Sequence, residues 1–173
     1  SSYPSGMKTW ILLAAWMAVP VSAQEWVQMR GPNGTGISHA KTVPVTFTVD
    51  DFNWKVPIAG KGYSSPVCWG DKLFLTTCSN PRKGERSILC LSTRDGHLIW
   101  EKTFPFTPYH LHKFGSFAAE TPVLEKDRLY MWWTENGQRV AFALDHDGQE
   151  LWRRILGPVE TQHGTGNSPV LHG

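Results

Sequence analysis

The stretch DGHLIW at residues 95–100 returns as DGQELW at residues 147–152. Each copy follows a short apolar run, SILCL at 87–91 and VAFAL at 140–144. The echo also extends upstream. SSPVCWGDKLFLTTC (64–78) has its counterpart in ETPVLEKDRLYMWW (120–133), and NSPVLHG (167–173) begins a third copy. The Ser/Thr-Pro-Val starts at Ser65, Thr121 and Ser168 are 121 − 65 = 56 and 168 − 121 = 47 residues apart. Repeats of this length belong to solenoids, propellers or arrays, in which one supersecondary unit packs on the next.

Each unit holds four strand-like runs. They are expected at 65–69, 73–77, 87–91 and 98–104 in the first unit, and at 121–124, 129–133, 140–144 and 150–155 in the second. Runs such as LFL, ILCL and LYMWW lack polar alternation, so both sheet faces are expected to be buried. WGDK and RDGH supply tight-turn chemistry, and no stretch sustains a helical period. Four short antiparallel strands per repeat predict an all-β fold, a β-propeller of four-stranded blades. Blades are expected at about 64–104 and 120–156, with a third beginning near 167, in a ring of seven or eight. Pro66, Gly96, Trp100, Pro122, Gly148 and Trp152 are the structural residues of the repeat. The Asp-Gly turn leads into an outer strand whose tryptophan lies where one blade meets the next.

These same residues carry a resemblance. SPV…GDKLFL…ILCLSTRDGHLIW resembles the pyrroloquinoline-quinone-type propeller repeat. WVQMRGPNGTGIS (26–38), FNWKVPIAGKGYSSPV (52–67) and QHGTGNSPVL (162–171) are similar to exported propellers of that superfamily with no assigned activity. The resemblance covers Glu25 to Gly173 and implies the N-terminal part of such a ring. It also implies that FNWKVPI (52–58) is an outer tryptophan strand completing the last blade.

The remaining sequence narrows the setting. Residues 7–23 run from a cation at Lys8 through an apolar stretch to Val21-Ser22-Ala23, the order of a secretory signal peptide. Residues 1–6 read as upstream sequence, 24–51 as an N-terminal extension and 52–173 as a partial propeller. The chain is therefore expected to be exported, periplasmic or extracellular in the bacterial manner, with no stable membrane span once the signal is removed. Cys68, Cys78 and Cys90 lie in or beside apolar runs and read as buried free thiols, with a Cys78–Cys90 bridge left open. The formal net charge of +2 shows no basic stripe and argues against nucleic acid. NPRKGER (80–86) reads as a solvated loop.

No motif assembles a catalytic or metal site. GKGYSS (60–65) lacks the Ser or Thr that a phosphate loop needs directly after Gly-Lys, and RGPNGTG (30–36) matches no dinucleotide fingerprint. Asn33-Gly34-Thr35 is a glycosylation sequon, relevant only to a eukaryotic secretory route. Asp145, His146 and Asp147 read as turn residues. His110 and His112 flank Leu111 and, with His163 on the next equivalent loop, could approach one another, but no Cys or carboxylate stands at ligand spacing. Connectivity places the function instead. The first-to-second and third-to-fourth connections are tight, so the longer ones, 79–86, 134–138, 105–119 and 157–167, gather at the opposite end. Tyr63, Tyr109, His110, His112 and His163 are the candidate ligand face there, for an unknown protein or small molecule. The expected role is a non-catalytic binding or scaffolding module without a cofactor. The resemblance implies an alternative, a pyrroloquinoline-quinone-dependent oxidoreductase using calcium, whose cofactor residues would lie mainly elsewhere.

Overall fold

A computed structural model describes residues 25–41, 43–159 and 166–172; the signal-like residues 7–23 and His163 lie outside them. Two four-stranded antiparallel sheets form in simple meander order. The first contains β1 (Val67–Trp69), β2 (Lys72–Asn80), β3 (Glu85–Ser92) and β4 (Leu98–Pro105). The second contains β5 (Val123–Leu124), β6 (Arg128–Glu135), β7 (Gln138–Asp145) and β8 (Glu150–Pro158). All eight expected strands are present. The sheets pack face to face through Val67, Phe74, Ile88, Cys90 and Phe104 of the first and Leu129, Met131, Trp133, Phe142 and Leu144 of the second. These residues alternate along their strands, so one pleat face of each strand fills the core. The outermost strands β4 and β8 are mostly exposed.

The expected starts at Ser65 and Thr121 lie two residues before the observed β1 and β5, and the hydrogen bonds explain why. Pro66 and Pro122 have no N–H to give a ladder. The Ser65 N–H instead donates to Thr121 Oγ1 at 2.9 Å, and the Thr121 N–H donates to Ser168 Oγ at 2.9 Å. The repeated hydroxyl is thus an acceptor for the preceding copy, a stitch running along the inner edge of the sheets.

The repeated tryptophan is aimed by a bulge. Cys90 pairs with Trp100 and Leu91 with Leu98, leaving Ile99 as the extra residue, and Leu151 is the extra residue before Trp152. Trp100 Nε1 donates to His146 O at 3.0 Å, and its ring lies where a Cβ on Gly148 would come within 3.1 Å. Trp54 repeats the arrangement one step earlier. It donates to Thr93 O at 2.9 Å, and a Cβ on Gly96 would meet its ring at 2.5 Å. Trp54 therefore docks as the outer-strand tryptophan does, although residues 52–58 join no ladder. Lys72 and Lys102 of the first sheet reinforce this contact by donating to His146 O and Gly148 O at 3.1 and 3.0 Å.

Two expectations need correction. Thr134–Gln138 is not a long connection: β6 and β7 run to Glu135 and Gln138 and are joined by Asn136-Gly137 alone. Both turn residues have positive φ, 49° and 73°, the type I′ geometry for which Asn-Gly is suited. In NPRKGER, Arg82 and Lys83 are exposed as expected, but Arg86 is fully buried, for reasons given below.

The N-terminal extension is also partly built in. Trp26 and Cys68 exchange both backbone hydrogen bonds, at 3.2 and 2.8 Å, and the Leu124 N–H donates to Val27 O at 2.8 Å. Residues 26–27 thereby pair with the free inner edges of both sheets.

The cysteines are free thiols; Cys78 and Cys90 are buried and Cys68 is half-buried. Register excludes a Cys78–Cys90 bridge. Cys90 stands opposite Phe74, four residues from Cys78, about 13 Å along a strand and beyond disulfide reach.

Candidate functional site at the long-loop end

Antiparallel order sorts the connections between two ends of the sheets. One end carries residues 70–71, 93–97, 125–127 and 146–149. The other carries the approach 59–66 to β1, the four-residue turn 81–84, the long connection 106–122 and the two-residue turn 136–137. The inter-sheet connection is the longest of these; the expected long connection 79–86 is, like 134–138, a short turn between paired strand ends.

That long connection is anchored by buried chemistry. Phe106, Tyr109 and Phe117 form a small aromatic cluster; Phe106 lies 4.8 Å and Tyr109 4.9 Å from Phe117 between ring centroids. Arg86 stands beside it. Its guanidinium lies 3.9 Å over the Trp133 ring and 4.9 Å over Phe106. Its Nη1 donates to Phe117 O at 3.2 Å and its Nη2 to Thr134 O at 2.6 Å. One side chain from the first sheet thus holds both the long connection and the second sheet.

A buried cation of this kind requires compensating charge. Burial pulls the Arg86 pKa down to about 10, while the buried Glu120, then Tyr109 and Glu135, oppose the fall. Arg86 is therefore still cationic at neutral pH. Burial, with Glu120 adding to it, pushes Tyr109 up to about 12, so its phenol is neutral. Backbone contacts complete the anchorage. Ala118 O accepts from the Tyr63 N–H at 2.8 Å, Ser116 Oγ donates to Lys61 O at 2.8 Å, and the Phe106 N–H donates to Gly84 O at 2.7 Å.

The structure separates the expected site residues into two groups. Tyr63, 51% exposed, is tied to the long connection and carries Lys61 Nζ 5.0 Å over its ring. His110 and His112 are exposed on that connection, and His112 Nδ1 accepts from the Phe114 N–H at 3.3 Å. Tyr109 instead turns inward to the aromatic cluster. Among the described residues, no three His, Cys, Asp or Glu side chains are grouped to hold a metal ion.

Sequence reasoning passed over Arg86, yet the repeat carried a signal. Arg86 precedes SILCL as Arg139 precedes VAFAL. The Arg139 guanidinium also lies over a tryptophan, Trp132, at 5.6 Å.

No family model matches the chain, and no curated protein matches it. Among solved structures, BamB from Moraxella catarrhalis, a β-propeller, is similar with a TM-score of 0.52 at 18% identity. The match covers 69% of this chain and 34% of that one, so the chain spans about a third of its length. The fold is a β-propeller. The two sheets are two consecutive blades, and Trp54 docks on the first as Trp100 docks on the second.

Proposed function

We propose that the chain is a non-catalytic binding or scaffolding module that engages its partner with the long-loop end of the propeller. The observation that carries this reading is the anchorage of the 106–122 connection. Arg86 and the aromatic cluster fix the two ends of the loop, while Thr107, His110, His112, Lys113 and Phe114 are exposed between them. A loop displayed on a rigid scaffold is the usual setting for recognition residues. The signal-like order of residues 7–23 supports export, and no described helix is long and apolar enough to cross a membrane.

In the full-length protein, His110→Ala and His112→Ala should each leave the melting temperature within about 2 °C of wild type, as for surface changes generally. Both should weaken the partner recovered by cross-linking or a metabolite screen. Lys126→Ala, at the short-turn end, should change neither. Weakened binding in the Lys126 variant, with the histidine variants unaffected, would reverse the assignment of ends.

A further inference from the structure

The two ends of the propeller differ in charge. The short-turn end, with the strand termini beside it, carries seven acidic residues, Asp71, Asp95, Glu125, Asp127, Asp145, Asp147 and Glu150, against four cations, Lys72, Arg94, Lys126 and Arg128. In the described loops at the long-loop end, and the strand termini beside them, there are three carboxylates, Glu85, Glu120 and Glu135. Glu120 is buried beside Arg86, and Glu135 is paired with Arg153 at 3.0 Å. The same end exposes Lys61, Arg82, Lys83 and Lys113. Every ion pair among the described residues lies on a strand or at the short-turn end, and none includes these four cations. Two of them lie over exposed rings instead, Lys61 over Tyr63 at 5.0 Å and Lys113 over Phe114 at 4.9 Å.

One of these cations, Lys61, lines a cleft. A space of about 140 Å³ opens between Lys61, Pro81, Leu111 and Phe117, with Cys78 also in its lining. Pro81 leads directly into Arg82 and Lys83, and Leu111 lies two residues before Lys113, so each wall of the cleft is continuous with a cation. A space of this order holds one benzene-sized apolar group.

We infer that this cleft receives one apolar side chain of an acidic protein segment, whose flanking carboxylates meet the surrounding lysines and arginine. The inference rests on the long-loop end being the binding end, and adds the chemistry of the partner. Charge complementarity selects an acidic partner. A small, largely apolar cleft with separate cations about it favours a peptide segment over nucleic acid, which is bound along a continuous basic stripe with stacked bases.

The test uses a short fluorescein-labelled peptide with leucine between two runs of glutamate, titrated into the full-length protein by fluorescence anisotropy. Peptides with lysine for glutamate or alanine for leucine, phosphatidylglycerol vesicles and a single-stranded oligonucleotide are run alongside. The acidic leucine peptide should bind best, and its affinity should fall as salt shortens the screening length. Combined Lys61→Glu, Lys83→Glu and Lys113→Glu substitutions should weaken it by about tenfold or more, with the melting temperature unchanged. Leu111→Asp should weaken the leucine peptide and leave the alanine peptide less affected.

Equal binding of acidic and basic peptides, indifference to the three reversals, or binding of vesicles or oligonucleotide in place of the peptide would overturn the inference. The underlying reading fails separately. A partner weakened by His112→Ala but indifferent to the charge reversals keeps the binding end and removes the acidic chemistry. A partner weakened only by Lys126→Ala removes the binding end itself.

Discussion

Replacing Arg86 by methionine should destabilise the protein by about 3–5 kcal/mol, since two buried hydrogen bonds from a charged donor are worth about 1.5–3 kcal/mol each. Methionine keeps much of the packing under Trp133 but supplies no donor for Phe117 O or Thr134 O. The loss is a large fraction of the 5–15 kcal/mol that holds a typical domain together. Glu120→Gln, alone and combined with Arg86→Met, measures how much of the loss is electrostatic coupling between these two buried groups. Denaturant unfolding of both single variants and the double variant gives the coupling directly. A loss below about 1 kcal/mol for Arg86→Met would mean that water reaches the guanidinium and that the long connection is held by its aromatic residues alone.

Trp100→Ala should cost about 3 kcal/mol, the lower end of the range for emptying a large aromatic site, since the ring is half-buried. Trp100→Phe separates the two parts of the contact. It keeps a ring against Gly148 and loses only the donation to His146 O, a term of about 1 kcal/mol. Any loss of binding by the alanine variant should follow loss of folded protein. Wild-type stability with lost binding would make Trp100 a recognition residue rather than the joint between blades.

The repeat made the blades legible because apolar runs and Asp-Gly turns are local signals, and each appears twice. The tight Asn136-Gly137 turn was obscured by its flanks. Thr134, Glu135, Gln138 and Arg139 are polar strand ends, and polarity without alternation resembles a loop. Arg86 was hidden for a different reason. Its neighbours Arg82 and Lys83 are solvated, whereas the groups that bury it, Phe117, Glu120 and Trp133, come from 31 to 47 residues further along the chain. Nothing local distinguishes a cation awaiting such partners from a solvated one. The pairing of Trp26 and Val27 was equally silent, since two residues show no period.

That last pairing bears on the order in which the molecule is built. Val27 O receives its hydrogen bond from Leu124, and Met29 Sδ receives one from Ser168 Oγ, 139 residues away. Contacts so distant in sequence are entropically the most expensive to close and form after local ones. Each blade, by contrast, is a meander whose strands find their neighbours within a few residues. The stretch synthesised earliest among the described residues is therefore among the last to be seated, and it waits until both sheets exist to receive it. Pulsed hydrogen exchange during refolding should show the Leu124 amide protected later than amides within the β6–β7 ladder. Until then the N-terminal segment hangs free of the forming domain, and its settling reports that the first two blades have joined.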